Sequence, residues 1–291
     1  MTTPSNPRRD HSSTYFVPDR SYKNELNRLF VQDELLTAGM GGVLPEQSTP
    51  TDFQRVLDIG CGTGGWLIQV AQTYPTMARL VGIDINQRMV DYASSQAEKQ
   101  QVHGRVEFRV MDALRLLEFP DEYLDLVSQR LGGSYLRTWD WPKLLQEFQR
   151  VTRPGGVIRV VESDVVGESS SPGLNRISQM LVEAFHQAGH FFAPEHNGLI
   201  RELPRLMHQS GLQHVQSQLC RLEFHAATPE GQNFIADMTH ITHTMQPFLQ
   251  KWSRVPDDYE ALRQQALNEM QQPDFHATWS LLTTWGTRPA R

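Results

Sequence analysis

Val56-Leu57-Asp58-Ile59-Gly60-Cys61-Gly62-Thr63-Gly64-Gly65 is the stretch that decides the fold. Its first four residues read as a buried strand. The glycines then make a turn almost bare of side chains, and Trp66-Leu67-Ile68-Gln69-Val70-Ala71 opens a helix. A turn so poor in side chains lets a ligand touch the backbone itself.

Outward from that stretch, short apolar runs alternate with helical patterns. The runs are 56–59, 80–85, 106–110, 124–128 and 156–162, and helices are predicted over 64–73, 87–101 and 141–152. In the last of these Trp141, Leu144, Leu145, Phe148 and Val151 fall on one face. Strands alternating with helices imply right-handed crossovers and a mostly parallel sheet. Such strands are buried on both faces, which accounts for their unbroken Val/Ile/Leu character.

Upstream, residues 1–20 read as loosely ordered and 24–38 as a helix; Gly39, Gly41 and Gly42 and the segment from Pro45 to Pro50 read as a linker. After residue 163 the rhythm changes. Ile177, Met180, Leu181, Ala184, Phe185 and Ala188 make one apolar stripe, 199–210 is a second helix candidate, and 214–220 reads as a strand. A long helical segment over 228–252 should be kinked or ended by Pro247, and 279–285 reads as a closing strand. The expected division is an N-terminal helical segment and linker at 1–50, then one domain at 51–291 with helical lid insertions at about 164–212 and 221–277.

Composition excludes several classes. The 291 residues carry 39% hydrophobic and 21% charged residues, an ordinary globular balance. No apolar run reaches the ~18 residues of a membrane span, and Met1 to Asp10 has no apolar core of a secretion signal. The two cysteines, Cys61 and Cys220, make no metal spacing, so a reduced cytoplasmic setting is the simplest expectation. A net charge of -6 argues against nucleic acid as the partner. Of the eleven histidines, His186/His190 and His240/His243 stand at helical spacing, but opposite the apolar stripes and so on solvated faces; no metal is expected.

Gly60-x-Gly62-x-x-Gly65 also fits the dinucleotide fingerprint, so NAD and S-adenosylmethionine (SAM) compete as ligands. Asp58 favours SAM: a carboxylate before the loop meets an ammonium and repels a pyrophosphate. Asp84, ending the second strand, suits ribose hydroxyls of either. Asp112, in Met111-Asp112-Ala113 after the third strand, can accept the adenine amino hydrogens, and Arg153-Pro154-Gly155-Gly156 makes the turn into the fifth strand.

Together these motifs resemble the class I SAM-dependent methyltransferases, in the segments 57–64, Gly82-Ile83-Asp84-Ile85, Asp112-Ala113 and Arg150-Val151-Thr152-Arg153-Pro154-Gly155-Gly156. The resemblance covers residues 15–163 well and the rest in outline. It implies an α/β, Rossmann-like, seven-stranded and mostly parallel sheet whose last strand is antiparallel, SAM as cofactor, and methyl transfer. Tyr15 and Glu25-Leu26-Asn27-Arg28-Leu29-Phe30-Val31-Gln32 further resemble a subgroup acting on small molecules, in which Tyr15 and Arg28 would close over the cofactor; an amphipathic helix with a solvated Arg28 is the plainer alternative. The expected cofactor-binding set is Asp58, Gly60, Cys61, Gly62, Gly64, Asp84, Ile85, Met89, Asp112, Ala113, Gln129, Arg28 and Tyr15.

The acceptor is narrowed by what is absent. Ser128-Gln129-Arg130-Leu131-Gly132-Gly133-Ser134-Tyr135 is not the Asn/Asp-Pro-Pro-Tyr signature of amino-group methylation on DNA bases and glutamine. Neither cysteine stands in the context of a cytosine-C5 nucleophile, and no acid pair after the fourth strand suggests a magnesium site. A small organic acceptor remains, with no nucleic acid or membrane partner. Beyond the carboxyl ends of strands four and five it would meet Arg130, Tyr135 and Glu162. Arg130 and Glu162 either face it or pair with each other, and Tyr135 either faces it or packs on Trp139. No catalytic base is singled out, and the lid surface would equally serve a homodimer. The rivals are a SAM-binding protein of this fold with non-methylating chemistry or a scaffold role and, less favoured, an NAD(P)-dependent oxidoreductase.

Overall fold

The computed structural model describes residues 23–165 and 168–290. The glycine stretch sits where it was expected, between β1 (Arg55–Ile59) and α2 (Gly65–Thr73), after an N-terminal helix α1 (Lys23–Gly39). β2 (Arg79–Asp84), α3 (Gln87–Lys99), β3 (Val106–Val110), β4 (Leu124–Arg130), α4 (Trp141–Val151) and β5 (Thr152–Ser163) follow. The sheet order is β3-β2-β1-β4-β5, all pairs parallel. Chain order reverses at β1, between β2 and β4, and such a switch point opens a crevice at the carboxyl ends of the strands.

Burial on both faces explains why these strands form. α2 and α3 cover one face with Trp66, Leu67, Val70, Val90 and Ala93. α4 covers the other with Trp141, Leu144, Leu145 and Phe148. α3 starts where the Asn86 side chain accepts a bond from the Arg88 amide, satisfying one of the free donors of its first turn.

The remaining strands are longer than their apolar runs suggested. A two-residue β6 (Glu168–Ser169) precedes α5 (Pro172–Gln187) and α6 (Leu203–Gln209). β7 spans Gln213–His225 and β8 spans His276–Thr287. β8 runs antiparallel between β5 and β7, and β6 pairs with it too, giving eight strands among the described residues. Because β7 continues through His225, residues 221–225 belong to the sheet and not to the lid. Leu222 and Phe224 alternate inward between exposed Arg221, Glu223 and His225, a strand pattern hidden by its mixed composition.

The segments expected to form a lid hold α5, α6, α7 (Pro229–Thr244), α8 (Gln246–Trp252) and α9 (Tyr259–Met270). The 228–252 segment breaks at Met245, and Pro247 stands in the first turn of α8, where its missing N–H costs nothing. α9 was not foreseen, being largely polar; it buries Tyr259, Leu262, Ala266 and Met270 along one face. Gly173 lets α5 and α9 cross closely, since a Cβ there would lie 2.9 Å from the Ala266 nitrogen. Among the described residues no helix is long and apolar enough to cross a membrane.

Candidate active site

The turn after β1 is built on left-handed glycines, with φ of +67° at Gly60, +54° at Gly62 and +77° at Gly64. Each has a different reason to lack a side chain. A Cβ on Gly60 would lie 2.5 Å from the Tyr135 hydroxyl, and one on Gly64 would press on Phe108 and Ala93. A Cβ on Gly62 would meet nothing within 4 Å. Gly60 and Gly64 are thus packing requirements, while Gly62 borders open space.

That space is a cavity of about 470 Å³, lined on one side by Asp58, Gly60, Cys61, Gly62, Asp84 and Ile85, with Asp112 and Ala113 beside them. Asp84 braces the turn: its carboxylate accepts the Gly62 amide at 3.1 Å and the Asn86 amide at 2.8 Å. Asp112 accepts the Leu114 amide at 2.9 Å and lies 3.4 Å from Arg115. Met89, Gly64 and Gln129 stand off the cavity wall. Met89 is fully buried in α3, and the buried Gln129 amide meets no hydrogen-bond partner of good geometry among the described residues. Tyr15 lies outside the described residues, as does the side chain of Arg28.

Asp58 is the electrostatic centre. Its Oδ2 is buried without a hydrogen-bond partner among the described residues, and burial pushes its carboxyl up to about 7. Arg130 and Arg159 pull against that rise, and Asp33 and Asp84 add to it. Such a group is poised to be ionised by an arriving cation.

Arg130 and Glu162 do not pair with each other. Arg130 bonds Asp33 of α1 at 2.5 Å and lies 5.2 Å over Trp66. Glu162 instead accepts the amides of Gly132 and Gly133 at 2.7 and 3.0 Å, and burial raises its carboxyl to about 7. These bonds hold the turn after β4, where Leu131 adopts a left-handed φ of 55°. Tyr135 turns its hydroxyl toward Gly60, and Trp139 lies over Gly189. Arg130, Tyr135 and Glu162 all line the cavity.

His190 departs from its expected place. α5 ends at Gln187, so His190 follows the helix and is fully buried against Phe185 and Phe248. Its Nδ1 is 2.7 Å from the Leu136 carbonyl, and burial pulls its pKa down to about 4. Two cavity acids, Asp33 and Asp164, escaped the sequence reading. Asp164 directly follows β5, and that position after a strand end was the available signal. Among the described residues no three His, Cys, Asp or Glu side chains gather as a metal site.

The cavity fits SAM. Asp58, with its Oδ2 unpartnered among the described residues, lines it together with Asp84, and open space borders Gly62. Residues 56–156 match the family described as "Methyltransferase domain". The 27-O-demethylrifamycin SV methyltransferase of Amycolatopsis mediterranei is 25% identical over 255 residues, covering 88% of this chain and 79% of that relative. The chain carries a SAM-dependent methyltransferase domain over residues 56–156. SAM is therefore the cofactor of this methyltransferase. The carboxy-S-adenosyl-L-methionine synthase of Helicobacter hepaticus is 32% identical over 116 residues, 40% of this chain and 46% of that protein. Among solved structures, phosphoethanolamine N-methyltransferase 2 of Haemonchus contortus with SAM bound shares the fold. Its TM-score is 0.55 at 18% identity, over 94% of this chain and 60% of that one.

Proposed function

We propose that this methyltransferase passes the methyl group of SAM to a small organic acceptor, in the cytoplasm and without a metal. The observation that carries the reading is the continuity of the cavity. From the glycine turn it runs past Tyr135 and Glu162 into a chamber walled by α5 and α7, where Ile177, Leu181, Met238 and Met245 face it. A chamber of this kind takes a small apolar molecule and excludes a polymer. The unpaired Cys61 and Cys220 accord with a reducing compartment.

When bound, SAM would supply an activated methyl on a sulfonium, with S-adenosylhomocysteine (SAH) as its by-product. The chain's own residues then have alignment as their main task, worth up to ~7–11 kcal/mol of a barrier. Asp58 would hold the amino-acid ammonium, Asp84 the ribose and Asp112 the adenine amino group. Tyr135 would set the closest approach beside Gly60, while the apolar lid keeps water out.

The test is incubation of the purified protein and SAM with a library of small organic compounds, followed by mass spectrometry. The reading expects a compound heavier by one methylene together with one equivalent of SAH. Likeness to the carboxy-SAM synthase over the cofactor half supports a second reading, a SAM-dependent reaction other than methylation; turnover of a compound without SAH would select it.

A further inference from the structure

Beyond the cofactor end, the wall of the cavity has a one-sided charge. Glu162 and Asp164 stand where β5 ends, and both line the chamber. Around them the wall is apolar, with Ile177 and Leu181 from α5, Met238 from α7, Met245 from the break between α7 and α8, and Trp279 from β8. Glu162 is fixed by the Gly132 and Gly133 amides. Asp164 is fixed by the Ser280 amide at 2.9 Å, with His196 Nδ1 3.7 Å from its other oxygen. His196 is half exposed and does not line the chamber.

The cation side of the balance is thin. Among the described residues Arg130 is the single basic side chain on the cavity wall, and it is engaged by Asp33 and Trp66. An anionic group entering the chamber would therefore lose its water and meet carboxylates, with Arg130, already paired with Asp33, as the one described wall cation to offset either cost. A hydroxyl meets the opposite situation, because each carboxylate keeps lone pairs beyond those used by the backbone amides.

We propose that the acceptor chamber selects an uncharged, largely apolar molecule whose polar group donates a hydrogen bond, an alcohol or phenol, and rejects phosphate and carboxylate compounds. This rests on the methyl-transfer reading of the same cavity. Glu162 and Asp164 take the donated hydrogen bond, and α5, α7 and Trp279 enclose the apolar body.

The experiment uses SAH-loaded protein and three probes that share one apolar body: 2-naphthol, 2-naphthoate and 2-naphthyl phosphate. Binding is followed by calorimetry and by quenching of tryptophan fluorescence, since Trp279 lines the chamber. 2-Naphthol should bind at least ~10-fold more tightly than either anion, a difference of ~1.4 kcal/mol. Asp164→Asn should narrow that gap several-fold with SAH affinity unchanged. Leu181→Trp should fill the chamber and abolish 2-naphthol binding while SAH still binds. An anion binding as tightly as 2-naphthol, or no probe binding to SAH-loaded protein, overturns the acceptor class and leaves the cofactor site standing. Failure of the unaltered protein to bind SAH overturns the site as a whole.

Discussion

Asp33 in α1 and Arg130 at the end of β4, 97 residues apart in sequence, form an ion pair at 2.5 Å. The two side chains are only 13% and 15% exposed, and the pair ties the N-terminal helix to the cofactor turn. A Cβ on Gly65 would lie 2.4 Å from Asp33 Oδ2, so the same carboxylate also reaches the first turn of α2. A negative charge is favoured there by the free amides of the helix start. Asp33→Ala leaves Arg130 buried without its counter-charge and should cost about 3 kcal/mol. Urea denaturation of the cofactor-free protein measures it; an unmoved midpoint would show that the pair contributes nothing.

Asp58 gives a proton-linked signature. Burial raises its carboxyl from 3.8 to about 7 in the folded, cofactor-free protein. The folded state thus binds a proton more tightly than the unfolded chain. The stability from this group is present in full below the unfolded value and is lost as pH rises through about 7. An ammonium seated on Asp58 favours the ionised form and pulls the pKa back down. Cofactor binding at about pH 6 should then release close to one proton, and at about pH 8.5 almost none. Calorimetry of SAH binding in buffers of different ionisation enthalpy counts the protons. Equal release at both pH values, or the same release from Asp58→Asn, would place the ammonium elsewhere.

The glycines of the turn should separate folding from binding. Gly62→Val should leave a folded protein, strained by ~1–3 kcal/mol at its positive φ, that no longer binds SAH, because the added methyls enter the space the cofactor needs. Gly64→Val should not fold to the same stability, since its side chain would drive into Phe108 and Ala93. Circular dichroism and SAH calorimetry on both variants distinguish the two roles. Retained SAH binding by Gly62→Val would remove the turn from the contact surface.

Deeper under the site, Arg159 and Glu46 pair at 2.8 Å with side chains 1% and 0% exposed. Arg159 also lies 5.5 Å from the Trp66 ring, on which Arg130 stacks. Glu46→Ala strands a buried guanidinium and should cost about 3–5 kcal/mol. The double variant Glu46→Leu/Arg159→Met removes both charges and should recover most of that loss. Thermal denaturation of the two variants checks the order; a double variant weaker than the single one would mean that the pair is a net source of stability.

The sequence reveals the parallel half of this fold because β1, β2, β4 and β5 are largely buried on both faces, which leaves a nearly continuous apolar text, and the edge strand β3 alternates Val106 and Phe108 with Glu107 and Arg109. Asp58, Asp84 and Asp112 were visible for the opposite reason, as acids interrupting that text at strand ends. What escaped was set by partners far away in the chain. β7 shows one inward face only, and its alternation is broken by Gln, Ser and Arg. α9 sets Ala266 against Gly173 of α5, and its buried Tyr259, Leu262 and Met270 are spaced among polar residues that hide the stripe. His190 looked solvated because helical spacing was extended three residues past the true end of α5. Arg130 read as facing a substrate or pairing with Glu162 because its actual partner, Asp33, had no motif of its own.

The insertion of β8 between β5 and β7 has a consequence for how the molecule is made. β7 has no parallel neighbour to lean on; along its length it is zipped to residues 276–287, which emerge from the ribosome after three lid helices. The nucleotide crevice can take shape early from neighbouring segments, whereas the chamber wall that carries Trp279 waits for a late, long-range pairing of the slow-forming kind. Nascent chains should thus acquire cofactor affinity before they acquire the ability to hold an acceptor.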